Sequence, residues 1–227
     1  MIPAKKAHPY WQPLLKSFEA AADPAKAVAM GQYMRNQFGF YGLSSPLRQQ
    51  LLTAFIKENG LPKSDSIAEI THSAWQLPQR EMQYAAMFVL QKQIKELPDT
   101  AIELFEQLTV EKSWWDSIDF IAPNLVGSHF QRFPEIRDET LSKWMLSGNF
   151  WLQRSCLIFQ LKYKEQTDEA LLFELCRQLG GEKEFFIRKA IGWALRQYAR
   201  TAPQAVKQFV DSTDLQPLSK REALKHF

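Results

Sequence analysis

Apolar residues along this 227-residue chain recur at three- and four-residue spacings, and no convincing run alternates strictly between apolar and polar positions. Helix punctuation accompanies that period. Asp23-Pro24 pairs an N-cap with a proline in the first helical position and predicts a helix over 25–38, with Gly31 its weak point. Ser45-Pro46 repeats the device, and the helix it opens should close at Gly60. Pro78 begins another, in which Met82, Ala85, Ala86 and Val89 share a face. Ser113-Trp114-Trp115-Asp116 has the form of a capping box with Asp in its fourth place, and Pro123 should kink or end the helix that follows. Asn149 caps a run over 150–164, and Asp168 opens 169–179, closed by Gly180-Gly181. A long stretch spans 182–200, and Ser219 caps a last helix. The expectation is an all-α protein.

The helices come as short-linked pairs with a rough period in the range of two-helix solenoid repeats. Self-similarity between the units is weak, so a compact irregular bundle stands as the alternative. Neither a linker nor a low-complexity segment divides the chain, which predicts a single domain over 1–227. Nine glycines against sixteen Phe and seven Trp fit long elements packed by aromatic rings. A net charge of +3 is only mildly basic, so a nucleic-acid partner would require the cations to cluster on one surface.

Cys156 and Cys176 sit inside apolar helical patterns without metal-ligand spacing and are read as buried thiols. Met1-Ile2-Pro3-Ala4-Lys5-Lys6 lacks the apolar run of a signal peptide, and no segment reaches the roughly 20 apolar residues a membrane span needs. A cytoplasmic setting with no membrane partner is expected. The histidines, His8, His72, His129 and His226, form no ligand pair, and phosphate loops, nucleophile elbows and zinc motifs are absent.

Three helices carry unusual faces. Trp115 and Asp119 are four apart, which sets an indole beside a carboxylate. Asp119 is flanked by Ile118, Phe120 and Ile121, with no Lys or Arg within one helical turn. It is a functional carboxylate, a solvated surface Asp or one half of an ion pair with a distant residue. Within that segment Asp116 is read as a cap and Trp114 as packing. On the second helix Arg154 and Lys162 are eight apart and project within about 80° of each other, as a functional pair or a solvated basic face. On the third, Lys189, Trp193, Arg196 and Arg200 make one stripe at spacings of four, three and four. A ring among cations suits a DNA backbone or a cationic base; a core Trp beside unrelated surface cations is the alternative. Gly192 would let another chain approach closely. Tyr33, taken alone, reads as a half-buried helix residue.

At these residues the sequence resembles the AlkD-type DNA alkylpurine glycosylases. The resemblance covers nearly the whole chain and is strongest at Lys112-Ser-Trp-Trp-Asp-Ser-Ile-Asp119, Trp151-Leu-Gln-Arg154, Phe159-Gln-Leu-Lys-Tyr-Lys164 and Glu184-Phe-Phe-Ile-Arg-Lys-Ala-Ile-Gly-Trp193. Tyr33-Met34 and Pro217-Leu-Ser-Lys-Arg-Glu-Ala223 match as well, in the same order. It implies a curved solenoid of HEAT-like antiparallel helix pairs whose concave basic face holds duplex DNA. The implied activity is hydrolysis of the glycosidic bond of cationic lesions such as 7-methylguanine and 3-methyladenine, in base excision repair and without metal or organic cofactor. A protein of this kind is expected to act as a monomer on duplex DNA containing an alkylated purine.

By the matched motifs, Asp119 corresponds to the catalytic carboxylate. Trp115 and Trp193 correspond to the indoles flanking the lesion's deoxyribose, and Arg154 to the phosphate-contacting arginine at the site. Tyr33, Lys162 and Arg196 fall on positions near the DNA backbone, and Lys189 and Arg200 share the stripe of Arg196. The Ser44-Ser45-Pro46-Leu47-Arg48-Gln49 loop keeps the proline and Arg48 but has Gln49 where relatives often carry a second basic residue. The chain also stops at Phe227, sooner than the family's members, so a short last helix is expected.

Overall fold

Proline and short polar side chains start several helices where the pattern placed them. In the computed structural model, which describes residues 7–227, Asp23 accepts a 3.0 Å bond from Lys26 N and Pro24 takes the first helical position. Asn149 accepts from Trp151 N and Leu152 N, and Asp168 from Leu171 N. These side chains satisfy amides that a helix leaves without intrahelical partners. Among the described residues no strand forms; an isolated bridge joins Gly39 to Gln79. The molecule is all-α. The reading of Met1–Lys6 lies outside the described residues.

The chain packs as two compact units, residues 1–97 and 98–227. The first holds α1 (Gln12–Ala20), α2 (Pro24–Tyr33), α3 (Ser45–Asn59), α4 (Ile67–Trp75) and α5 (Arg80–Gln93). Its core gathers Trp11, Leu14, Phe18, Leu52, Phe55 and Trp75, and Trp11 Nε1 donates to Ile70 O at 2.8 Å. Met82, Ala85, Ala86 and Val89 are all fully buried, as their spacing requires. Glu81 is buried too, and its carboxylate accepts backbone N–H bonds from Tyr41, Gly42 and Leu43. Those three bonds offset the desolvation of a buried charge.

Two boundaries in this unit differ from the pattern. Helix α2 stops at Tyr33, five residues early, because Arg35 and Asn36 take positive φ (53° and 55°) and Asn36 N turns back to Gly31 O. The turn frees Phe38 to lie under the Arg80 guanidinium at 3.9 Å. Helix α5 starts two residues after Pro78, where Arg80 N bonds Gly39 O. Helix α3 closes at Gly60 (φ 73°) as expected, although its N-cap is Ser44 and no side chain bonds there.

The second unit holds α6 (Ala101–Val110), α7 (Trp115–Ile121), a π-helical turn (Ala122–Val126), α8 (Gly127–Arg132), α9 (Arg137–Leu146), α10 (Phe150–Ile158), α11 (Glu169–Gln178), α12 (Phe185–Tyr198), α13 (Pro203–Ser212) and α14 (Pro217–Ala223). As expected, the regular α-helix ends near Pro123: α7 stops at Ile121. The π turn absorbs the proline's missing N–H, and α8 continues. Helix α10 ends at Ile158 rather than near residue 164. Gln160 instead pairs with the Asp168 backbone, accepting from Asp168 N at 2.8 Å, and this folds the chain back into α11. The capping box at Ser113 does not form: Ser113 Oγ donates backwards to Thr109 O at 2.7 Å, and Trp114 is the N-cap without a side-chain bond. Asp116 lies in the first turn of α7, where its charge suits the helix dipole. Ser219 does not cap the last helix; Gln216 does, with Pro217 first, and Ser219 is buried within α14.

Cys156 and Cys176 are buried free thiols, and burial pushes both pKa values well up. Among the described residues no helix is long and apolar enough to cross a membrane.

Candidate active site

Helix α10 packs against both α7 and α12 in the second unit, and one side chain ties the three together. Arg154, 4% exposed, directs Nε and Nη2 at Asp119 Oδ1 (2.9 and 2.7 Å) and Nη1 at the carbonyl oxygen of Phe186 (2.5 Å). Sequence placed no cation within a helical turn of Asp119. The cation comes instead from a residue 35 positions away.

Both nitrogens converge on Oδ1, and Oδ2 accepts no hydrogen bond from the described residues. The Asp119 side chain keeps 22% exposure, while neighbouring Ile118 and Ile121 are fully buried. Its carboxylate is therefore clamped at one oxygen and open at the other. Burial raises its pKa above the usual 3.8, and the Arg154 charge works against that rise.

Trp115 is half-buried one turn before Asp119. Trp114 packs, as read from sequence: its ring lies 6.1 Å from Trp151 and 5.6 Å from Phe186, and Phe150 completes an aromatic wall with them. Trp193 is half-buried on α12, two turns from Phe186 and hence on nearly the same face.

The other sequence candidates divide. Lys189 and Arg196 both reach Glu222 of α14, with Oε2 at 3.0 and 2.9 Å. Glu222 was not singled out by the sequence reading, although it lies within the matched 217–223 block. Gly192 does permit a close approach, and the approaching chain is α14 itself: a Cβ there would sit 2.4 Å from Glu222 Cβ and 3.0 Å from Ser219 O. Arg200 is exposed and lines a cavity of about 220 Å³ together with Lys164 and Gln197.

Lys162 is exposed but leaves the face of Arg154, because α10 has already ended; its Nζ bonds Asn124 Oδ1 of the π turn at 2.5 Å. In the first unit, Arg48 stacks its guanidinium on Tyr84 at 4.4 Å. Tyr33 is 72% exposed rather than half-buried, since α2 terminates at it. Among the described residues no cluster of three or more His, Cys, Asp or Glu side chains is placed to hold a metal ion.

The family model of DNA alkylation repair enzymes matches residues 14–227. The chain belongs to that family. Its fold is also similar to a solved structure described as a predicted DNA alkylation repair enzyme from Enterococcus faecalis, at 32% identity and a TM-score of 0.84, covering 91% of this chain and 96% of that one. No curated protein matches the chain. Membership in the DNA alkylation repair enzyme family gives the protein a role in DNA repair. It also places the Asp119–Arg154 pair and both indoles inside the matched region.

Proposed function

We propose that this protein hydrolyses the N-glycosidic bond of cationic alkylated purines, 7-methylguanine and 3-methyladenine, in duplex DNA. The observation that carries the reading is the Asp119 carboxylate, clamped by Arg154 through Oδ1 with Oδ2 open. A purine alkylated at a ring nitrogen already carries positive charge. When the C1′–N bond breaks, its electron pair leaves with the base, which departs neutral without needing a general acid. Positive charge then grows on the sugar, as in an oxocarbenium-like transition state.

A fixed anion beside C1′ stabilises that charge, and a half-buried setting strengthens the attraction. Asp119 supplies the anion. A water adds to C1′, and its proton passes to Asp119 or to solvent; a carboxylate with a raised pKa is the better base for that step. Arg154 holds Asp119 in place, and the same buried guanidinium is the candidate contact to the adjacent phosphate. Trp115 and Trp193 present electron-rich faces to the cationic sugar or base, each contact contributing on the order of 1 kcal/mol.

Tyr33, Arg48, Lys162, Lys189, Arg196 and Arg200 are assigned to the DNA backbone in this reading, on a scaffold of HEAT-like helix pairs. Selection then comes from lesion charge and bond lability, without enclosing a flipped base. A panel of duplexes each bearing one lesion tests it. The proposal expects release of 7-methylguanine and 3-methyladenine but not of uncharged O6-methylguanine; retention of all three contradicts it.

A further inference from the structure

Two cations of the α12 stripe meet one carboxylate. Glu222 Oε2 lies 3.0 Å from Lys189 Nζ and 2.9 Å from Arg196 Nη1, and the backbone oxygen of Glu222 accepts a second bond from that same nitrogen at 3.0 Å. Arg196 is thus held by one nitrogen at two points. Its Nε and Nη2 make no hydrogen bond with any described residue. Those two nitrogens are adjacent on one edge of the guanidinium, the edge that takes a carboxylate or phosphate in bidentate fashion.

Glu222 itself is firmly placed. Its Cβ packs where Gly192 has no side chain, and its side chain is 14% exposed. Bonds from Lys189 and then Arg196 hold its carboxyl below the usual carboxylate range, so the group is ionised at neutral pH.

We propose that Glu222 is a positioning residue for duplex binding, fixing Arg196 through Nη1 so that Nε and Nη2 face a DNA phosphate together. The inference rests on the assignment of Arg196 to the DNA backbone in the proposed function. It also has an unusual sign. An acidic residue among DNA-binding cations would ordinarily oppose binding, and deleting it would tighten the complex. A positioning role predicts the reverse, because an unanchored arginine must lose its rotamer freedom on binding.

The test is a double-mutant cycle between Glu222→Ala and Arg196→Ala. It is read as the affinity for an unmodified DNA duplex at several salt concentrations. The Ala variant keeps the Cβ that meets Gly192, and its melting midpoint reports whether α14 stays docked. If it does not fold, Glu222→Asp, which draws the carboxylate back by one methylene, takes its place in the cycle.

Each single variant is expected to weaken binding about three- to tenfold and to lower the salt slope by roughly one phosphate contact. In the Arg196→Ala background the change at Glu222 should weaken binding no further. Wild-type or tighter affinity for the Glu222 variant, with Arg196→Ala weak, overturns this inference alone. Equal, additive losses also overturn it, since Glu222 would then act elsewhere. An unchanged affinity for Arg196→Ala overturns it together with the backbone role of Arg196, and base release by the wild-type protein separately judges the glycosylase reading.

Discussion

Asp119 carries a charge that its burial opposes and the Arg154 guanidinium supports. Its apolar neighbours and lack of a nearby cation marked it but left a solvated carboxylate open; the structure shows it largely buried and paired with Arg154. Its partner was not legible as such. Arg154 was named, but as a phosphate contact, because helical spacing reports neighbours three or four residues away and says nothing of a contact spanning 35. The pair makes a pH prediction. In the proposed mechanism base release needs Asp119 ionised, so the rate should fall as pH drops through a midpoint above 3.8. Since the Arg154 charge lowers that pKa, Arg154→Gln should move the acid limb to higher pH as well as reducing the rate. An acid limb that stays put on substitution would separate Arg154 from Asp119. Stability has the complementary dependence. A raised folded-state pKa means that the protonated carboxyl favours the fold, so this group's contribution is full below 3.8 and is lost as pH rises through the folded value.

Among the elements, starts were easier to read than ends. Asp23, Asn149 and Asp168 cap where the sequence placed them, because a cap is a local bond between a short side chain and amides two or three residues on. Helix α2 stops early at the positive-φ turn of Arg35 and Asn36, and α10 where Gln160 pairs with the Asp168 backbone; neither leaves a mark in apolar periodicity. Helices α1, α4, α6, α9 and α13 were not delimited from the pattern at all; α13, for instance, buries only Val206, Phe209 and Val210. Gly192 was legible as a place of close approach, though the visitor is α14 rather than DNA or another protein. Gly192→Ala should therefore destabilise the protein. Overpacking at a backbone contact outweighs the gain in helix propensity, for a net loss of roughly 1–2 kcal/mol and a melting midpoint about 2–8 °C lower. A midpoint equal to or above wild type would show that α14 yields freely.

For the molecule as a whole, an all-α class and a DNA alkylation repair role were both readable before the structure, the first from periodicity and the second from resemblance. The packing of the chain as two units at residues 97 and 98 left no mark in composition, since neither proline- nor glycine-rich linker separates α5 from α6. In the proposed mechanism Asp119 performs the chemistry while the surrounding cations and rings hold the substrate. The most direct test incubates methylated duplex DNA with wild-type protein and with Asp119→Asn, measuring released 7-methylguanine and duplex affinity on the same samples. The expected result is release by the wild type, loss of release by at least about a hundredfold in the variant, and duplex affinity within a few-fold of wild type. Undiminished release by Asp119→Asn would contradict the mechanism.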